Sequence, residues 1–145
     1  AEVGLVANTQ DEAMYEAGLL DSCYLPLNGF LGSSYTLHFA AGELPPADAF
    51  WSVTVYDAGG GLVPNAEGHF SVSSSRPEEL VYEPDGSLTI IFSQTDPADP
   101  NANWLAIPAG GFSAYLRMYV PEQAALDRTW LPPAIHRRSI FGIVF

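Results

Sequence analysis

The side chains whose types and positions could engage a ligand are Trp104, Trp130, Arg117, Tyr119, Asp57 and His69. An indole beside a loop can stack on the apolar face of a sugar ring, and both Trp104 and Trp130 lie next to loop signals. Trp51 differs, because it alternates with Val53 and Val55 and so belongs to a buried strand face. Arg117 and Tyr119 share a strand face with Tyr115. A guanidinium on an otherwise apolar strand calls for a carboxylate, and Asp57 is the expected partner. That pair would serve either as an internal ion pair or as an anchor for an anionic ligand.

Four hard-oxygen side chains, Asp96, Asp99, Asn101 and Asn103, fall within eight positions. Calcium takes such ligands, but the spacing matches no EF-hand loop, and Asp-Pro and Asp-Pro-Asn steps form ordinary turns. No cofactor is expected, with calcium at this loop as the one candidate. His38, His69 and His136 are scattered, and His38 is expected to face solvent or a polar partner. Ser73-Ser74-Ser75 lacks a nucleophile-elbow context. Glu78, Glu79, Glu83 and Asp85 read as a solvated loop and hairpin face rather than the converging acids of a glycosidase. Cys23, the single cysteine, reads as a small buried hydrophobe.

The elements that position these groups are short strands. Phe50 to Asp57 alternates, is rich in β-branched and aromatic residues, and is bounded by Pro45-Pro46 and Gly59-Gly60-Gly61. It predicts a central antiparallel strand. Tyr35, Leu37 and Phe39 alternate with Thr36 and His38. Phe70 and Val72 suggest another strand. Leu80-Val81-Tyr82 and Leu88 to Phe92 flank Pro84-Asp85-Gly86, a hairpin turn. Phe112, Ala114, Leu116 and Met118 alternate with Ser113, Tyr115, Arg117 and Tyr119. Thr9-Gln10-Asp11-Glu12 fits a capping box opening a short helix to about Leu20, with an extended arm on the sheet as the alternative. The pattern predicts one all-β domain: a jelly-roll-like antiparallel β-sandwich over 31–145, with 1–30 as an arm or short helix packed on it.

Composition narrows the partners. The chain has 145 residues, 17 acids, five arginines and no lysine, for a formal net charge of −12. Such a chain repels phosphate backbones, so nucleic acid is not expected as a partner. No stretch approaches a membrane span, and no signal peptide stands out at the N-terminus. The apolar tail Ile140 to Phe145 predicts either a last strand or a surface that pairs with a partner domain or a second copy.

Several ordered blocks carry a family resemblance: Tyr35-Thr36-Leu37-His38-Phe39, Phe50 to Asp57, Asp85 to Ile90, Asn103-Trp104-Leu105, Arg117 to Pro121, and Trp130 to Pro133. Together they resemble the domain of unknown function 1214 family over roughly residues 8 to 136. The resemblance implies a jelly-roll-like fold, a bacterial exported or envelope-associated protein, and a companion domain, number 1254, in a longer chain. It brings no activity to map onto residues. The chain departs from the family where Ala106 replaces a proline after Trp-Leu, and where His69-Phe70 replaces Arg-Tyr.

The expected function is a non-catalytic module that binds a carbohydrate or small polar ligand, or mediates assembly, in a periplasmic or secreted setting. A glycan-acting enzyme using Asp57 or Asp85 with a histidine, and a structural half-domain, are the alternatives.

Overall fold

The computed structural model describes residues 12–64 and 70–138. Three expectations fall outside them: the start of the capping box at Thr9 to Asp11, His69, and the tail Ile140 to Phe145. Among the described residues there are eight strands, one short α-helix and two 3-10 turns, Phe30–Gly32 and Pro77–Glu79. The strands are β1 (Ala13–Gly18), β2 (Ser34–Phe39), β3 (Ala47–Asp57), β4 (Ser71–Ser73), β5 (Leu88–Ser93), β6 (Asn103–Ala106), β7 (Phe112–Pro121) and β8 (Ile135–Arg138), and the helix α1 is Gln123–Leu126.

The strands form two four-stranded sheets, ordered β1-β7-β3-β4 and β6-β5-β2-β8. Their inner faces share one core. Val53, Val55, Leu116 and Met118 come from the first sheet, and Leu37, Phe39, Ile90 and Phe92 from the second. Tyr35 meets Phe112 edge-on at 5.5 Å, and Phe39 meets Trp51 at 5.8 Å, so aromatic rings bridge the layers.

The alternation in β7 holds: Phe112, Ala114, Leu116 and Met118 are buried, and the residues between them face outward. β3 is an inner strand, antiparallel to both β7 and β4. Gly59-Gly60-Gly61 makes the sharp reversal after it, with Gly60 at φ +83° and the Asp57 carboxylate accepting from the Gly59 and Gly61 amides.

Four expectations are corrected. Residues 13–18 are not a helix but take the extended alternative: they are β1, hydrogen-bonded along β7 from Ala13–Tyr119 to Gly18–Ala114. The antiparallel rule fails at one place, because β6 runs parallel to β5. Leu80–Tyr82 forms no strand. The Val81 amide and carbonyl are both taken up by the Asn103 side chain, which occupies the place of a ladder partner. Cys23 is exposed, not buried. It sits on a tight loop closed by the Asp21 amide to the Leu25 carbonyl and the Leu27 amide to the Leu19 carbonyl.

The predicted turn at Pro84-Asp85-Gly86 is present. The Glu83 amide donates to the Ser87 carbonyl, and Gly86 takes φ +89°. The Ser87 hydroxyl, then its amide, donate to Asp85 and hold its carboxyl below the ordinary value. At another junction, Gly29 packs so tightly that an added Cβ would lie 2.0 Å from the Pro108 carbonyl oxygen.

Candidate functional site

Among the described residues the sandwich is open along two sides, where sheet edges face each other, and each opening holds a cavity. At one, β4 and β6 border a polar cleft of about 260 Å³. Its walls come from four short pieces of chain. β4 contributes Ser71 and Ser73; the segment after it, Glu79 and Val81; the loop before β6, Asp96 and Asp99; and β6, Asn103 and Trp104. Four of the residues singled out from the sequence therefore converge here: Trp104, Asp96, Asp99 and Asn103.

Their roles differ. Asn103 is 7% exposed, and its amide donates to the Val81 and Thr89 carbonyls while its oxygen accepts from the Val81 amide. It is a strut that ties β6 to the Val81 segment and to β5. Asp96 and Asp99 are exposed and cap the amides of Ala98 and Asn101, each leaving a carboxylate at the cleft. Among the described residues, no three His, Cys, Asp or Glu side chains stand close enough to hold a metal. The half-buried Trp104 ring is oriented by its indole N–H, which donates to the Ser93 carbonyl at 3.0 Å. One aromatic wall and two acceptor-rich carboxylates can stack a small polyol and hydrogen-bond its hydroxyls, whereas the buried Ser73 hydroxyl donates to the Trp51 carbonyl and the Ser71 hydroxyl accepts from Arg76.

The other opening lies between β1 and β8. It is an apolar cavity of about 150 Å³, lined by Ala17, Leu37, Ala114, Leu116 and Ile135 among others, with Glu16 at its rim. Glu16 pairs with Arg128.

The remaining candidates do not join the cleft. Trp130 is half-buried, packs against the core and donates its indole N–H to the Glu43 carbonyl. Arg117 and Tyr119 lie on the outer face of the first sheet. Asp57 is not the partner of Arg117. In register Arg117 stands opposite Ser52, five residues from Asp57, or roughly 17 Å along the strand. Asp57 also shares the parity of the inward residues, and its carboxylate caps the glycine turn. The neighbour on the correct parity is Tyr56, whose hydroxyl accepts from Arg117 at 2.7 Å. The guanidinium lies 5.4–5.7 Å from the ring centres of Tyr15, Tyr56 and Tyr115. Tyr119 instead stacks on Phe50 at 4.3 Å.

Sequence reasoning missed one polar network on the second sheet. His38 Nδ1 meets the Thr89 hydroxyl at 2.8 Å, and Thr89 donates to Glu83. The Ser87 hydroxyl donates to Asp85 at 2.6 Å and lies 3.1 Å from the Glu83 carboxylate. The single Thr89 proton goes to Glu83, so His38 donates to Thr89 and does not act on it as a base. Cross-strand pairing of His38 with Thr89 was the signal, readable only once β2 and β5 were known to be in register.

A family model described as "Protein of unknown function (DUF1214)" matches residues 12–123. The VPA0106 protein of Vibrio parahaemolyticus is similar in structure, with a TM-score of 0.77 and 26% identity over 94% of this chain and 33% of that one. An uncharacterized protein from Burkholderia cenocepacia shares the fold, with a TM-score of 0.54 and 17% identity over 92% of this chain and 31% of that one. This chain thus spans about a third of the length of these solved relatives. No curated protein matches. No helix among the described residues is long and apolar enough to cross a membrane.

Proposed function

Taking as premise that the chain belongs to the DUF1214 family, we propose that it is a non-catalytic module that binds carbohydrate in the β4–β6 cleft. The observation that supports this is the convergence of Trp104 with Asp96 and Asp99 on one cleft of about 260 Å³. The ring offers a flat apolar wall, and the carboxylates accept from sugar hydroxyls. A cleft of this size takes one or two rings of a chain rather than a long oligomer. A jelly-roll-like description of the sandwich rests on its four strands per sheet.

Calorimetric titration with a panel of neutral mono- and oligosaccharides tests the reading. One sugar class should bind, and Trp104→Ala should weaken it on the order of tenfold, the worth of one stacked ring. Trp130→Ala should leave affinity unchanged. Equal binding by Trp104→Ala, with a native circular dichroism spectrum, would sink the cleft as the site.

A flat panel would favour assembly, a second reading motivated by length. The solved relatives are about three times as long as the part this chain matches. In that reading the module is one part of a longer protein and packs on a companion domain such as 1254. The periplasmic or secreted setting is part of the proposal, and fractionating cells that make the full-length protein reads it.

A further inference from the structure

We propose that Arg117 and the tyrosines around it form a second binding site, which anchors a carboxylate carried on a ring. The site does not depend on the Trp104 cleft. It lies on the outer face of β7, whereas the cleft lies between the edges of β4 and β6.

The alternation of β7 dictates the placement. With Leu116 and Met118 in the core, Arg117 must point outward. Register then sets Tyr15 of β1 directly opposite it on one side. On the other side, Tyr56 of β3 reaches the guanidinium with its hydroxyl. Tyr115, two residues back on the same strand, completes the surround. Three rings within 6 Å of one cation make a site that favours positive charge and holds it still.

What the surround lacks is an anion. Arg76 pairs with Glu79, and Arg128 with Glu16. Among the described residues no carboxylate lies within 4 Å of Arg117, in a chain with 17 acids and five cations. One of its N–H groups goes to Tyr56, and no other side chain among the described residues accepts from the rest, which leaves them for a ligand. The planar fork of a guanidinium matches a carboxylate with two parallel hydrogen bonds. The flanking tyrosine faces give a ring attached to that carboxylate an apolar surface to lie on. The net charge of −12 repels a polyanion more than a single carboxylate, so the fit is to a monocarboxylate. A uronic acid and an aromatic acid share this chemistry.

The full chain would be titrated with glucuronate, glucose and benzoate while the Arg117 Nε–H and the Tyr15 and Tyr115 ring signals are followed by NMR. Glucuronate or benzoate should shift all three sets, and the stronger of the two identifies the ring as sugar or arene. Glucose should leave them still. Arg117→Gln should weaken binding at least tenfold, and Arg117→Lys should fail to restore it, since a point charge cannot make the paired hydrogen bonds. Trp104→Ala should not affect it, which separates this site from the cleft. The proposal is overturned if neither acid moves these signals, if glucose moves them equally, or if folded Arg117→Gln binds as the native chain does. Should Arg117→Gln not fold, the native-chain comparison of acid with glucose decides alone.

Discussion

Asn103 shows how a residue chosen for one chemistry can perform another. Its amide closes three hydrogen bonds to backbone groups of Val81 and Thr89 while almost fully buried. It thereby replaces a stretch of strand pairing that Leu80–Tyr82 does not make. Asn103→Ala should cost about 2–3 kcal/mol, because it strands buried backbone groups without partners. Urea denaturation measures this, and a loss under about 0.5 kcal/mol, typical of a neutral surface change, would refute the strut role. At this scale the sequence was legible where parity decides. Trp51 is buried and Arg117 shares its face with Tyr115 and Tyr119, as the period-two pattern requires. The partner of Arg117 was not legible, because proximity in composition, an arginine needing an acid, says nothing about register. Asp57 carries the right charge on the wrong face.

Elements were legible wherever hydrophobic alternation was long enough. β2, β3, β5 and β7 follow from their patterns, and so do the glycine reversal after β3 and the turn before β5. β6 and β8 are four residues each, too short for a period to show, and β6 runs parallel, which no local pattern encodes. The candidate cleft escaped for the same reason, since its walls come from the short β4, β6 and two loops. The turn at Pro84-Asp85-Gly86 carries a prediction of its own. Ser87 holds the Asp85 carboxyl below its ordinary value in the folded chain. A depressed folded value stabilises the fold above the unfolded pKa, and the contribution is lost as pH falls through the folded value. The melting temperature should therefore drop as pH is lowered below about 4, and Asp85→Asn should flatten part of that drop. A variant whose acid profile overlays the native one would show that the turn does not sense pH through Asp85.

On the scale of the whole molecule, charge is what local structure leaves unbalanced. Seventeen acids against five arginines leave a net −12, and the ion pairs Arg76–Glu79 and Arg128–Glu16 are partly exposed and worth little. Self-repulsion should then oppose folding at low ionic strength. Raising sodium chloride from about 20 mM to 500 mM shortens the screening length from roughly 20 Å to about 4 Å. The midpoint should rise over that range, and a midpoint that falls or stays level would show that the acids are spaced widely enough not to interact. The number of sheets and the burial of one shared core were legible from composition and strand count. Which edges face each other, and hence where the cavities open, depends on strand order, which is a property of the chain as a whole.

The pairing of β1 with β7 has a consequence for how the chain is made. Ala13 finds its partner at Tyr119, about a hundred positions later. The same β7 also provides one neighbour of β3. A nascent chain therefore carries β1, and one side of β3, without their β7 partner until translation has passed residue 121. The first sheet is completed only once β7 has been made, even though it contains the beginning of the described chain. Any interruption before Phe112 leaves two apolar strand edges open to pairing with neighbouring molecules.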